Sequence, residues 1–309
     1  MTEKSKFQYF IGVVLVLTGA VLFAGKAVLV KYNYLHYHVD TVPLLALRML
    51  FSAPFYLIIL FFQKNKEAQV KLNRRQWFWM FAIGLVGYYL ASLFDFWGLN
   101  YITASVERLI LFVYPTIVVV ISAIFLKKPI YKIQYVALLI TYFGVALAFI
   151  PDLKLGLQKD LLIGCFLIFL SAFTYALFLV GSGEMIQKVG ALRFTCYSML
   201  ISTGMVIIHY FVSVGKGLLS YPAGAYWLSF SMAVFSTVIP SFMISDGIRR
   251  IGSGNASIIG SIGPVATIIM ANVFLGEQIS AWQLAGTFVV LIGVLMISWK
   301  GKSNLSKSS

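Results

Sequence analysis

Five ionisable side chains stand inside long apolar runs of this 309-residue chain: Lys26, Arg48, Asp95, Glu107 and Arg108. A charge surrounded by apolar groups costs several kcal/mol unless it meets a partner or a polar cavity. Such a set can form ion pairs, carry a proton on Asp95, or recognise an anion. It cannot supply a familiar hydrolytic apparatus. The sequence has no HExxH, no Ser–His–Asp set among the polar groups of the apolar runs, and no paired aspartates on one helix. The pair His36 and His38 in a loop is a thin metal signal, and Cys165 and Cys196 sit inside apolar segments without metal spacing. GAVLFAGKA has one residue too many between its glycines for a phosphate-binding loop and lacks Ser or Thr after Lys26. No catalytic residue, metal or cofactor is therefore assigned.

The elements that position these groups follow from composition. The chain is 60% hydrophobic and 11% charged, whereas a globular soluble chain carries about 25% charged residues. Lipid is the solvent that suits such a sequence. Apolar runs fall at 7–30, 41–62, 76–99, 103–126, 131–150, 160–183, 191–213, 225–247, 253–275 and 282–299. Each approaches the roughly 20 residues of a transmembrane helix, the form that pairs every backbone group internally. The first run is too long for the apolar core of a signal peptide and is expected to stay as the first span.

The net charge of +14 reports topology rather than a nucleic-acid partner. With the N-terminus inside, only Lys31, Lys154, Lys159 and Lys216 fall in outer loops, and Lys26, Arg48 and Arg108 lie within spans. The rest of the 24 Lys and Arg cluster in inner segments, among them Lys64, Lys66, Lys71, Lys127, Lys128, Arg249, Arg250, Lys300 and Lys302. Cytoplasmic loops carry such an excess. Both termini are thus placed inside, in a bacterial cytoplasmic (inner) membrane.

A shift of 149 residues superposes Gly98 on Gly247, Pro115 on Pro264, Leu126 on Leu275, Ile130 on Ile279, Gln134 on Gln283 and Gly144 on Gly293. A repeat of five helices is odd-numbered, so its second copy inserts upside down, as in many secondary transporters. The expected fold is an all-α membrane protein of ten transmembrane helices in two inverted five-helix repeats, 1–150 and 151–302, with a short tail at 303–309. At about 1.5 Å per residue the five charges occupy one layer, roughly 6–10 Å below the outer surface, with Arg48 and Asp95 opposite in sign at equal depth. Glu107 and Arg108 are adjacent, so at most one is expected to face a pathway. The same shift carries this outer ionic layer to Tyr175, Tyr197, Ile244, Ala256 and Ser257, all uncharged. Tyr175 and Tyr197 become candidates for an inner gate.

The stretch GPVATIIMANVFLGEQISAWQLAGTFVVLIGVLMIS, from Gly263 to Ser298, resembles the end of the repeat in the drug/metabolite transporter superfamily, EamA type. The shared features are the mid-helix proline, an L-G-E turn, a nearby Gln and a terminal small-residue helix. The stretch from Tyr114 to Ala148 matches more loosely, with Lys127 and Lys128 in place of Gly276 and Glu277, and Arg48 resembles an arginine common at that place. Members export amino acids, metabolites or drugs, or carry nucleotide sugars, so the resemblance implies a small-metabolite exporter. Independently of it, Ser280 and Gln283 have the spacing of a capping box.

Pro115 and Pro264 fall at mid-span, each freeing a carbonyl one turn earlier. Transporter sites commonly lie beside such breaks, so Phe112, Tyr114, Pro115, Ser261, Gly263 and Pro264 are the cavity candidates. Three cations against two anions leave one positive charge, which favours an amino-acid-like or anionic solute. The expected function is a secondary transporter working by alternating access on a small molecule in a lipid bilayer, with its coupling ion open. A passive channel or lipid-handling protein is the alternative, and a membrane enzyme the more distant one.

Overall fold

The computed structural model describes residues 3–63, 72–102, 104–148, 159–215, 217–276 and 279–304. Lys64, Lys66, Lys71, Lys154, Lys216, Lys307 and Glu277, which figure in the orientation and turn arguments, lie outside them, as does much of the expected tail. Every regular element among the described residues is helical. They run α1 (Glu3–His36), α2 (Thr41–Gln63), α3 (Arg74–Gly84), α4 (Ala91–Tyr101), α5 (Ala104–Leu111), α6 (Tyr114–Leu126) and α7 (Lys132–Ala148). They continue with α8 (Lys159–Val189), α9 (Ala191–Ser213), α10 (Ala223–Ala233), α11 (Ile239–Ile251), α12 (Ser253–Ile259), α13 (Gly263–Leu275) and α14 (Ala281–Asn304).

Among the described residues, seven stretches are long and apolar enough to cross a membrane: Phe7–His36, Thr41–Phe62, Arg74–Tyr101, Leu161–Val189, Ala191–Ser213, Ala223–Ile251 and Ser253–Phe274. Three apolar helices are shorter, Tyr114–Leu126, Lys132–Leu147 and Ala281–Met296. The expectation of ten full-length spans thus meets seven here. One reason lies at Pro115, which has no N–H to donate and stands in the first turn of α6. The run expected over 103–126 is divided there into α5 and α6. Large apolar side chains face outward all round the bundle, Leu57, Phe61, Phe125, Phe166, Phe211 and Phe288 among them, each more than half exposed. Water would penalise such a surface and hydrocarbon does not.

Several boundaries recur at one spacing. Helices α3 and α10 begin at Arg74 and Ala223, and α6 and α13 begin at Tyr114 and Gly263; both pairs differ by 149 in residue number. A π-helical turn follows α3 at Leu85–Leu90, and another follows α10 at Val234–Val238, again starting 149 apart. Helix α6 ends on Lys127 and α13 on Gly276, both left-handed with φ of 50° and 70°. Glycine adopts that conformation without strain and lysine does not, so chain geometry is kept here although residue type is not. Gln283 and Ser280 form the expected reciprocal cap (2.8 and 3.2 Å), and Gln134 reaches back to the Tyr131 amide in the corresponding place (3.2 Å).

Packing joins the two halves of the sequence. Helix α1 lies on α11, α4 on α8, α2 on α9 and α7 on α14. Glycines set the first two contacts: a side chain at Gly247 would collide with Val16, and one at Gly98 with Ile168. Beside them stand Gly12 and Gly164, whose carbonyls approach Gly247 and Gly98 respectively. Gly12 and Gly164 differ by 152, not 149. The sequence shift therefore misplaces the first helix by three residues, almost one turn, and the counterpart of Lys26 becomes Phe178 rather than Tyr175.

Candidate functional site

The five buried charges come together. Lys26 reaches from α1 to place Nζ 2.7 Å from Asp95 Oδ2 on α4, with side chains 4% and 1% exposed. Arg108 Nε lies 2.9 Å from Glu107 Oε2 on the same helix. Arg48 donates from Nη2 to Ser92 Oγ (3.0 Å), and its guanidinium carbon stands 4.9 Å from the Phe96 ring centre. Lys26 Nζ is 4.7 Å from the Phe23 ring centre and 5.9 Å from that of Phe96. The ring face of Phe96 thus serves two cations, an attraction that strengthens on desolvation. Asp95 pairs with Lys26 and not with Arg48, the residue of opposite sign at equal sequence depth.

Lys26 lies deeper than the sequence reading allowed. Helix α1 continues to His36 instead of ending near Val30, so Lys26 stands about 15 Å from its end. Its buried side chain cannot be snorkelling. Between the cluster and the helix ends runs a polar cap that the sequence did not disclose. Asn100 donates to Thr41 Oγ1 (2.8 Å), Tyr34 shares a hydrogen bond with the same hydroxyl (3.0 Å), and Tyr34 donates to the Phe96 carbonyl (3.0 Å).

The cluster is paired in charge but poorly satisfied in hydrogen bonds. Arg48 Nε, both oxygens of Asp95 and of Glu107, and Arg108 Nε and Nη2 are buried without an aligned partner. Native interiors leave few such groups, and those that exist usually answer to water, ligand or mechanism.

Next to the cluster lies a cavity of about 40 Å³, room for a few waters. Its wall brings together Arg108, Phe112, Tyr114, Tyr175, Ser257 and Pro264, along with Val16, Ala20 and Phe23 from α1, Leu179, Ile244, Ala256, Gly260 and Gly263. A smaller void of about 20 Å³ at Lys26 and Ser92 shares Phe23, Leu111 and Tyr175 with it. Tyr175 is central: it stacks on Phe23 (6.1 Å), meets Tyr114 edge-on (5.2 Å) and stacks on Phe178 (6.0 Å). Tyr114 donates to the Ser257 carbonyl (3.2 Å), linking α6 to α12 across the cavity. Toward the other end of the bundle a wider groove, about 220 Å³, is lined by Val119, Ser122, Lys128, Gln134, Gly252 and Asn255 among others. It is crossed by a Gln134–Asn255 hydrogen bond of 3.0 Å.

Of the sequence candidates, Phe112, Tyr114, Gly263, Pro264, Arg108 and Tyr175 share this wall. Pro115 and Ser261 lie behind it, both buried. Tyr197 is not part of this wall and lies edge-on to Trp77 at 5.1 Å. Glu107 is turned from the cavity while its neighbour Arg108 faces it. The wall residues of α1 and Ile244 were missed as cavity lining because an apolar side chain beside a cavity looks like any core residue in sequence.

The sequence pattern of the EamA-like transporter family matches residues 10–150 and again 162–299. The uncharacterized transporter YcbK of Bacillus subtilis is 30% identical over 300 residues, covering 94% of this chain and 95% of that protein. The uncharacterized inner membrane transporter YicL of Salmonella typhimurium is 22% identical, covering 93% and 95%. A solved crystal structure covering 97% of this chain and 99% of its own superposes with a TM-score of 0.70 at 14% identity, a likeness of fold alone.

Proposed function

This chain belongs to the EamA-like transporter family and is an integral membrane protein, and from that premise we propose a secondary transporter that moves a small solute by alternating access. Ten spans in two inverted repeats, 1–150 and 151–302, are the architecture we assign to it. The double family match, the π-helical turns 149 apart and the paired left-handed ends of α6 and α13 support that reading. Seven long helices and three short apolar ones supply the spans once α5 joins α6 as one broken crossing.

The observation that carries the mechanism is the position of the cavity. It lies where the broken crossings α5–α6 and α12–α13 meet, between the two halves, as transporter sites do. Buried ion pairs and the Tyr34–Thr41–Asn100 cap close one side, and the wider groove at Lys128 and Asn255 lies toward the other. Such an arrangement suits a carrier with its outer side shut. We assign both termini to the inside of a bacterial inner membrane and the direction as export of an amino-acid-like or anionic metabolite.

Proteoliposomes loaded with a pool of amino acids and organic acids test this by mass spectrometry of the efflux. A carrier gives saturable efflux of one class and stimulation by the same solute outside. Linear, unstimulated efflux makes it a channel, and a chemically altered solute makes it an enzyme. Orientation is checked with single cysteines: Lys71→Cys and Lys302→Cys are shielded from an impermeant outside reagent in intact cells, and Lys216→Cys is labelled. Outside labelling at Lys71 rejects the inverted ten-span arrangement.

A further inference from the structure

Among the described residues that line the cavity, Arg108 is the only charged one, and its guanidinium is underused. Its side chain is 6% exposed, Nε lies off the hydrogen-bonding line to Glu107, and the buried Nη2 has no partner. Leaving a buried guanidinium N–H without an acceptor is costly, and a guanidinium edge fits a carboxylate through two parallel hydrogen bonds.

A second feature points the same way. Helices α6 and α13, of 13 residues each, both begin beside this cavity, at Tyr114 and at Gly263. Both follow directly on helical turns, with Val113 and Ile262 themselves right-handed helical, so charge rather than free backbone N–H groups is what recommends an anion there. The surrounding charges, Lys26, Arg48 and Arg108 against Asp95 and Glu107, become neutral on the arrival of one negative charge.

The rest of the wall sets the remaining chemistry of the ligand. Phe23, Phe112, Tyr114, Tyr175 and Leu179 offer apolar and aromatic surface. Among its described residues the wall has no second cation for a dianion and no carboxylate for an ammonium group, since neither Glu107 nor Asp95 lines it. Resting on the transporter reading above, we propose that Arg108 anchors the solute, a monocarboxylate with an apolar body and no amino group, in a conformation where this cavity is wider than the few-water space it has here. Glu107 is the positioning residue: it holds the Nε side of the guanidinium while the Nη2 edge takes the solute.

The test uses the full chain in detergent and follows its unfolding midpoint and heats of titration with benzoate, phenylacetate, 3-phenylpropionate and hexanoate. Binding of a ligand to the folded state raises the midpoint. At least one of these carboxylates is expected to raise it saturably, and its matched alcohol to bind at least about tenfold more weakly. 3-Phenylpropionate is expected to bind more tightly than phenylalanine. Because Arg108→Gln alone strands Glu107, the decisive variant is Glu107→Gln with Arg108→Gln, which removes both charges together. It is expected to elute as a monodisperse protein and to lose the carboxylate response. The proposal is overturned if none of the four carboxylates binds, if alcohol binds as well as acid, if phenylalanine binds more tightly than 3-phenylpropionate, or if the folded double variant still responds. Counterflow of the bound carboxylate in vesicles separates the two readings. Binding without counterflow removes the carrier and leaves the anchor, and counterflow without discrimination of acid from alcohol does the reverse.

Discussion

At positions 149 apart, the α3–α6 segment carries Asp95, Glu107 and Arg108 where the α10–α13 segment carries Ile244, Ala256 and Ser257. The backbone devices around them are alike, down to the π-helical turns and the left-handed helix ends. The side-chain chemistry is not. On one side desolvated ion pairs tie together α1, α4 and α5, and on the other the halves meet through apolar packing, a few hydrogen bonds and the exposed Lys128–Glu184 pair beside a wider groove. Apolar contacts give way by degrees as helices slide. A buried ion pair either holds or releases, because a half-separated charge has neither partner nor water. Under the carrier reading proposed above, one side thus closes with a sharp threshold and the other with a soft one.

The largest effect that tests this contrast is on stability. Lys26→Met strands Asp95 and is expected to cost about 3–5 kcal/mol in detergent unfolding, whereas Lys26→Met with Asp95→Leu recovers most of it. A loss in the double variant equal to the sum of the losses in Lys26→Met and Asp95→Leu would show that the pair is not coupled. Next comes access. In a Tyr114→Cys background, Asp95→Asn should raise labelling by an impermeant outside reagent about tenfold, the shift that about 1.4 kcal/mol produces, and transport should fall. Unchanged labelling and transport together would return these charges to a static role.

Smaller again is the expected effect of Pro115→Ala or Pro264→Ala. A proline in the first turn of a helix contributes little to its stability, so folded yield should stay near normal while transport drops several-fold. Normal transport in both places the solute site away from the helix breaks. The smallest effect belongs to the apolar side. Ile244→Val should cost no more than about 1.5 kcal/mol and leave labelling at Tyr114→Cys unchanged. A large change there would erase the distinction between the two closures.

The apolar runs were legible because hydropathy over twenty residues is a coarse signal that lipid enforces. Lys26, Arg48, Asp95, Glu107 and Arg108 were legible for the same reason, as exceptions to it. Their partners were not. Sequence depth suggested Arg48 for Asp95, but helix α1 runs past Val30 to His36 and brings Lys26 to Asp95 instead. The π-helical turns had no visible signal, since an extra residue in one turn leaves composition unchanged. The single 149 register says nothing of which helix face meets the cavity, so it paired Tyr197 with Tyr175 although only Tyr175 lines that wall. The Tyr34–Thr41–Asn100 cap escaped because such residues at helix ends are ordinary.

The Lys26–Asp95 pair also has a history within each new copy of the protein. Lys26 leaves the ribosome 69 residues ahead of Asp95 (95 minus 26), which at roughly 5–20 residues per second is an interval of several seconds. Throughout it the leading helix must enter the membrane with a bare ammonium, at about 2.5–3.5 kcal/mol on insertion scales. Its first candidate span is the longest of the seven, 30 residues from Phe7 to His36, and the surplus of apolar residues offsets the lone charge until α4 arrives. A chain shortened in α1 is therefore expected to insert that helix less efficiently, since the charge is the same and the apolar surplus smaller.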